Sequence, residues 1–306
     1  MEKNELRSAV LFVNNQKKYA VGLADQICCE LKKHGIQGYI FSFEGKPELV
    51  PSTEVTGFLP SSLPEKNYDI AFSLGGDGTV LYTARCLAPF GIPILPVNLG
   101  TFGFIAEVKK DDWLDVFSRW NKNEIVPSRR CMFEISVERD SKIIMKNICL
   151  NDAVISAAGI AKLIKLDVYI NSIFCTKDEN VTLGSYQCDG LIISTPTGST
   201  AYSMAAGGPI LDPEMEALIL NPICPFPLSN RPIVLPSRQL LEISLTKAQR
   251  SGALLTVDGQ DTFNLEFADK ILIKQTDYPA YLIFADKQGY YSALRNKLFW
   301  SGGTDA

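Results

Sequence analysis

Five consecutive residues, Gly75-Gly76-Asp77-Gly78-Thr79, combine backbone that can approach an anion closely with a single carboxylate. Glycine lets the chain turn sharply and come within contact distance of a ligand. The run follows an apolar strand pattern, Tyr68 to Leu74, and precedes a helical one. The free N–H groups and dipole of that helix would favour phosphate. An acid in a phosphate loop repels its ligand unless it has its own task. Asp77 could bind a metal or take the proton from an attacking hydroxyl. A plain Gly-Asp-Gly turn is the alternative.

A second constellation runs from Asp189 to Tyr202. An apolar run, Leu191 to Ile193, leads into a Pro196-Thr197-Gly198 turn. Thr195, Thr197, Ser199, Thr200, Tyr202 and Ser203 make this segment dense in hydroxyls, suited to hydrogen-bonding ribose, adenine and phosphate oxygens. Ordinary Ser/Thr turn residues are the alternative. Ser199 or Thr200 is placed to cap a helix that soon meets Gly207-Gly208-Pro209. Asn151-Asp152 sets an amide beside a carboxylate, a pair that can read a nucleotide edge or merely make a turn. Asp258-Gly259 reads first as a hairpin turn, with Gln260 a ligand contact only by association.

Composition narrows the chemistry. The one histidine, His34, falls at a predicted helix end just before Gly35, where a cation suits the dipole. Mechanisms built on Ser-His-Asp or Cys-His then lack their base. The eight cysteines are scattered apart from Cys28-Cys29, with no Cys-x-x-Cys spacing. That disfavours a Cys/His zinc site and suits small buried hydrophobes in a reducing compartment. The net charge of −4 gives no global field for nucleic acid or an anionic membrane. No apolar stretch has membrane-spanning length, and Ala9 to Val13 is too short for a signal segment, so a cytoplasmic location is expected.

The elements that must position these residues fall into two styles. Strands are expected at Ala9 to Val13, Gly38 to Phe43, Tyr68 to Leu74 and Ile94 to Val97. Helices are expected at Tyr19 to His34, Val80 to Leu87 and Asp111 to Asn121. This alternation implies a mostly parallel, Rossmann-like sheet. After Pro127, apolar and polar residues alternate: Phe133, Ile135 and Val137, then Leu241, Ile243 and Leu245. Such period-two runs predict a β-rich domain. The expected domains are 1–127, α/β and carrying the glycine loop, and 128–284, β-rich. Residues 285–306 are expected to pack back on the first domain, with a helix from Tyr290 to Phe299.

In order and approximate spacing, five segments resemble the NAD kinases: Gly75 to Thr79, Asn98 to Phe104, Asn151-Asp152, Asp189 to Tyr202 and Gly207-Gly208-Pro209. The resemblance covers roughly residues 68 to 275. The first motif alone also occurs in diacylglycerol and sphingosine kinases and in 6-phosphofructokinases; the Asp189 to Pro209 stretch is more specific. The resemblance implies transfer of the terminal phosphoryl group of ATP to the 2′-hydroxyl of the adenosine ribose of NAD. It implies an α/β N-terminal domain with a β-rich, stacked-sheet C-terminal domain that binds NAD. It also implies a divalent metal, usually magnesium, arriving with ATP, inorganic polyphosphate as donor for some members, and homo-oligomers, dimers or tetramers.

Carried over residue by residue, the resemblance makes Asp77 the proton acceptor, with Gly75, Gly76 and Thr79 in the phosphate loop and Gly78 beside the substrate. Phe104 resembles the ring near the adenine. Asn151 and Asp152 match the Asn-acid pair. Lys162, Gln187 and Asp189 match positions lining the dinucleotide site. Thr197, Thr200, Ala201, Tyr202, Ser203, Met204 and Ala205 match the binding loop, and Gln260 a late contact. No metal ligand is assigned to the protein. A polar side chain at the position of Gln187 goes, in this family, with preference for oxidised NAD. The chain departs from the pattern in three places. Asp152 stands where glutamate is commoner, no histidine lies near Phe226, and the Cys175 to Tyr186 segment is longer than usual. Two other readings share the glycine loop: a lipid kinase of the diacylglycerol or sphingosine type, and a nucleotide-binding regulator without turnover.

Overall fold

A strand covered on both faces reads as an unbroken apolar run, as do Ala9 to Val13 and Ile70 to Leu74. The computed structural model describes residues 6–45, 63–64, 67–100, 103–159, 163–171, 181–227, 229–246, 252–285 and 288–298. The chain begins with β1 (Ser8–Asn14), α1 (Ala20–Lys33), β2 (Gln37–Phe43), β3 (Ile70–Gly75), α2 (Asp77–Leu87) and β4 (Ile94–Asn98). It continues with β5 (Val108–Lys109), α3 (Trp113–Asn121) and β6 (Ser128–Arg130). Then come β7 (Phe133–Arg139), β8 (Lys142–Cys149), β9 (Asp152–Ala157), β10 (Ile164–Asn171), β11 (Val181–Cys188) and β12 (Gly190–Ser194). A 3-10 turn (Thr197–Thr200) leads to the short α4 (Tyr202–Ala205). After it run β13 (Ala217–Ile223), β14 (Ile233–Pro236), β15 (Leu240–Leu245), β16 (Ala253–Val257), β17 (Asp261–Leu265) and β18 (Lys270–Gln275). The chain closes with β19 (Ala280–Leu282) and α5 (Gln288–Leu298).

Two compact units result. One holds the described residues up to Arg129 together with those from Ala280 onward; the other runs from Arg130 to Pro279. The first unit is built on a sheet ordered β2-β1-β3-β4-β19-β6, with β5 beside β4. The β1–β2, β1–β3, β3–β4 and β4–β19 pairs are parallel. Helix α1 buries Ala20, Leu23, Ala24, Ile27 and Leu31, an i, i+3, i+4 stripe. Helix α3 does the same with Trp113, Val116, Phe117 and Trp120. His34 caps the C-terminal end of α1 through its backbone N–H, and its imidazole stands 3.7 Å from Glu30.

The return of the chain completes this sheet. Ile283 N–H donates to the Ile94 carbonyl at 2.8 Å, and Leu282 pairs with Ile94. Helix α5 then buries Tyr290, Ala293 and Leu294. One boundary differs from the expectation in a way that matters. The helix expected from Val80 starts at Asp77, so the glycine-rich turn contracts to Gly76 alone, and Asp77 is a helical residue.

The second unit pairs two antiparallel sheets, β11-β10-β15-β18-β7-β8 and β14-β13-β12-β9-β16-β17. Alternation puts Phe133, Ile135, Leu166, Val168, Ile243, Ile271 and Ile273 of one sheet in the same core as Ile155, Leu191, Ile193, Leu220 and Leu255 of the other. Two inner faces sharing one core make a sandwich. Asp258 and Gly259 both have positive φ, 50° and 61°, and Gln260 N–H donates to the Val257 carbonyl. That geometry is the two-residue turn that Asp-Gly favours.

Candidate active site

In the first unit the strand order reverses between β1 and β3, and open α/β sheets bind ligands outside the carboxyl ends of strands at such a point. Asp77 lies there, in the first turn of α2. Its carboxylate faces the 103–106 segment. Phe104 N–H donates to Oδ2 at 3.0 Å; Ile105 and Ala106 N–H donate to Oδ1 at 3.2 and 2.9 Å. Asn98, at the end of β4, braces that segment. Its Nδ2 donates to the Ala106 carbonyl, and its Oδ1 accepts the Gly100 N–H, both at 2.8 Å. A carboxylate offers about four acceptor sites. Two on Oδ1 and one on Oδ2 are taken, so the remaining one lies on Oδ2.

Gly103 makes this arrangement possible. A Cβ there would overlap the Asp77 carboxylate, Oδ1 first. Its backbone is outside the left-handed region, so the requirement is for space, not for φ. Gly75 has a similar reason: its missing Cβ leaves room for the Thr79 side chain. Thr79 is therefore buried, and its N–H bonds to the Gly76 carbonyl, while Gly78 is exposed. Gly103→Ala is expected to lower turnover as Asp77→Asn does, because the carboxylate must leave its three amides. In a double-mutant cycle the two changes should be strongly non-additive. Additive losses would show that Gly103 acts elsewhere.

In the second unit Asn151 and Asp152 follow β8 and begin β9, and their backbone is held from two sides. Asp258 accepts N–H bonds from Leu150, Asn151 and Asp152 at 3.0, 2.8 and 3.1 Å. From the end of β12, Thr195 N–H and the Ser194 hydroxyl donate to the Asn151 carbonyl at 2.9 and 3.2 Å. Thr195 Oγ1 donates to the Leu150 carbonyl at 2.5 Å and accepts from Gly198 N–H. A Cβ on Gly198 would collide with the Asn151 carbonyl, so glycine is required by close approach. Ser199 and Thr200 do not cap α4 as expected. The Ser199 hydroxyl exchanges bonds with Leu211, and the Thr200 hydroxyl donates back to the Thr197 carbonyl. The helix is too short and too tightly entered to need a side-chain cap. Asn221 secures it instead, donating to the Ser203 carbonyl at 2.9 Å, with Gly208 leaving room for that contact.

A pocket of about 400 Å³ opens here, lined by Asn151, Asp152, Val154, Ser156, Ala201, Tyr202, Thr256, Asp258 and Gly259. Asp152 is only 4% exposed. Burial, and then the negative charge of Asp258, push its carboxyl up to about 7. The Asn151 Oδ1 is buried with no hydrogen-bond partner among the described residues. Asn151, Asp152, Ala201 and Tyr202 are the expected site residues in this lining; the others among the described residues of this unit are not part of it. Thr197, Thr200 and Ser203 are buried, Met204, Gln187 and Gln260 half-buried, and Ala205 and Asp189 exposed. Lys162 lies outside the described residues. Sequence reasoning passed over Gly103, Gly198, Asn221 and the amide-gripping role of Asp258. Only the Asp-Gly turn signal pointed toward the last.

The family description "ATP-NAD kinase N-terminal domain" matches residues 10–125, and "ATP-NAD kinase C-terminal domain" matches residues 150–285. An NAD kinase of Treponema denticola is 38% identical over 302 residues, covering 98% of each chain. One of Aquifex aeolicus is 37% identical over 238 residues, 78% of this chain and 84% of its own. Among solved structures, the yeast NADH kinase complexed with NADH superposes with a TM-score of 0.78 at 21% identity, covering 99% of this chain and 89% of that one. The NAD kinase from Archaeoglobus fulgidus in complex with ATP gives 0.66 at 24% identity, covering 94% and 96%. At those identities the superpositions speak for a shared fold. With both domain descriptions matched in order and a 38% identical relative aligned end to end, the chain belongs to the NAD kinase family.

Proposed function

We propose that the chain moves the terminal phosphoryl group of ATP to the 2′-hydroxyl of the adenosine ribose of NAD, with Asp77 accepting the hydroxyl proton. The observation that carries the reading is Asn151, which lines the pocket of the second unit and whose buried Oδ1 has no hydrogen-bond partner among the described residues. An orphaned buried acceptor costs roughly 1–3 kcal/mol, so it is kept where a ligand donor satisfies it. An amino group on a purine supplies such a donor. In the first unit, the open acceptor site on Asp77 Oδ2 suits a substrate hydroxyl, while the three amides hold the carboxylate still. Phosphoryl transfer is mostly positioning and electrostatics, so a fixed proton acceptor is what the protein must provide.

Among the described residues no three His, Cys, Asp or Glu side chains gather as a metal group. The divalent ion is proposed to arrive with ATP, held by its phosphate oxygens. Incubating the protein with ATP, magnesium and NAD and measuring NADP tests the reading. Chelator should abolish product and added magnesium restore it. Phosphorylation of diacylglycerol or sphingosine in a parallel assay, or tight NAD binding without product, would replace the reading with one of its rivals. Self-association into dimers or tetramers is proposed as well, to be checked by light scattering. Phe226, 72% exposed, is an apolar surface such contacts could cover. Among the described residues no helix is long and apolar enough to cross a membrane, and a cytoplasmic location is proposed.

NAD is expected to exceed NADH in kcat/KM by at least about tenfold. Gln187 is half-buried on β11, two residues before the exposed Asp189. Oxidised nicotinamide is cationic, and a carboxylate favours it over the neutral dihydro ring. Gln187→Gly should narrow the gap, and equal use of both dinucleotides by the unaltered protein would overturn the assignment.

A further inference from the structure

A cation stands beside the Phe104 ring, with no ion-pair partner among the described residues. Lys297, in the last turn of α5, holds its ammonium 4.2 Å from the centroid of the Phe104 ring. Both side chains are half-buried. Phe104 is also the residue whose N–H grips Asp77 Oδ2.

The route by which Lys297 arrives is fixed at several points. Strand β19 lies in the sheet beside β4, and Arg119 Nη2 donates to the Ala285 carbonyl at 3.2 Å. Tyr290, Ala293 and Leu294 anchor α5. The ammonium is thus delivered to this place by packed structure.

What holds it there decides what it can do. A carboxylate partner would cancel its charge. A ring face orients an ammonium by its quadrupole and leaves the charge, and the donors turned away from the ring, available to an anion. The corner otherwise presents the negative Asp77, which repels the phosphates of a donor. Charge accumulates on the phosphoryl oxygens during transfer, and fixed positive groups meet it. A lysine in the last helical turn also suits the helix dipole; that role would alter stability and leave the kinetics of one substrate alone.

We propose that Lys297 binds a phosphate oxygen of the phosphoryl donor, with the Phe104 ring as its platform, so that the C-terminal helix supplies positive charge to the catalytic corner. The proposal rests on the ATP-dependent reading above. Lys297→Met keeps the apolar stem over the ring and removes the charge. NADP formation is measured with ATP–magnesium and NAD varied separately, alongside equilibrium binding of ATP–magnesium and thermal midpoints.

Lys297→Met should lose about ten- to hundredfold in kcat/KM for ATP. KM for NAD and the thermal midpoint should stay near the starting values, and Lys297→Arg should restore most of the loss. Unchanged kcat/KM for ATP would overturn the proposal. So would parallel losses toward ATP and NAD, or a lowered thermal midpoint that accounts for the change. If the unaltered protein makes no NADP, the function assigned above falls. Equal ATP binding by the unaltered protein and Lys297→Met would then sink the proposal separately; weaker binding by the variant would sustain it.

Discussion

Asp77→Asn is expected to lower turnover about 10²- to 10⁴-fold, the usual cost of losing a positioned proton acceptor, while NAD affinity changes little. Oδ1 takes two N–H bonds and Oδ2 one, from Phe104, so the acceptor site open to substrate is on Oδ2. An asparagine keeps its oxygen where two amides need it, on the Oδ1 side. Its NH₂ then replaces Oδ2 and can donate to a hydroxyl but not take its proton. The NH₂ also meets the Phe104 N–H donor to donor, so some loosening of the 103–106 segment is expected. Equilibrium NAD binding and the thermal midpoint separate that loosening from lost chemistry. Turnover close to that of the unaltered protein would remove Asp77 from the mechanism.

The second large effect is on stability and runs with pH. The Asp152 carboxyl titrates near 7 in the folded chain, raised first by burial and then by Asp258, against about 3.9 when unfolded. Between those values the folded chain holds a proton that the unfolded chain has released. Its contribution is therefore full below about pH 4, falls as pH rises, and is gone above about 7. The loss amounts to up to roughly 4 kcal/mol, an order of magnitude only. Asp152→Asn removes the titration. Denaturant midpoints at pH 5 and pH 8 should diverge in the unaltered protein more than in the variant. The difference between the two proteins isolates Asp152 from the other titrating groups. An identical pH dependence in both would show that the buried carboxyl titrates normally.

Much of the frame could be read along the chain because its causes are local. Ala9 to Val13 is apolar without a break, and it lies in β1 with every one of those residues buried. The stripe from Ala20 to Leu31 and the alternation at Phe133, Ile135 and Val137 carry their periods openly. Asp258-Gly259 announced its turn because only a few residue types accept two positive φ angles in succession. The site is legible in a different degree. Asp77, Asn151 and Asp152 declare themselves as chemistry-bearing types, but what holds them does not. Asp258 grips the amides of Leu150 to Asp152 from 106 or more residues away. Gly103, Gly198 and Gly208 are needed because another segment comes too close for a Cβ, and no local pattern signals that. The start of α2 at Asp77 was hidden for a related reason. Glycine propensity argues for an extended turn, whereas the buried Thr79 against Gly75 pulls the first turn of helix back into the motif.

The place of β19 in the first sheet has a consequence for how the chain is made. Strand β4 pairs on one side with β3; on the other, β5 takes only Val97 and Asn98, and Ile94 waits for a segment almost two hundred residues further on, Ala280–Leu282. During synthesis the parallel sheet that carries Asp77 therefore keeps an unfinished edge until nearly the whole chain has emerged. The sandwich, continuous from Arg130 to Pro279, has all its strands before that moment. The usual sequence, in which the N-terminal body folds first, is inverted. Among the described residues this is the longest-range strand pairing, with the largest loop to order, so it is the natural slow step. Until β19 docks, the nascent chain presents the start of β4, around Ile94, as an apolar strand edge that invites association with other chains.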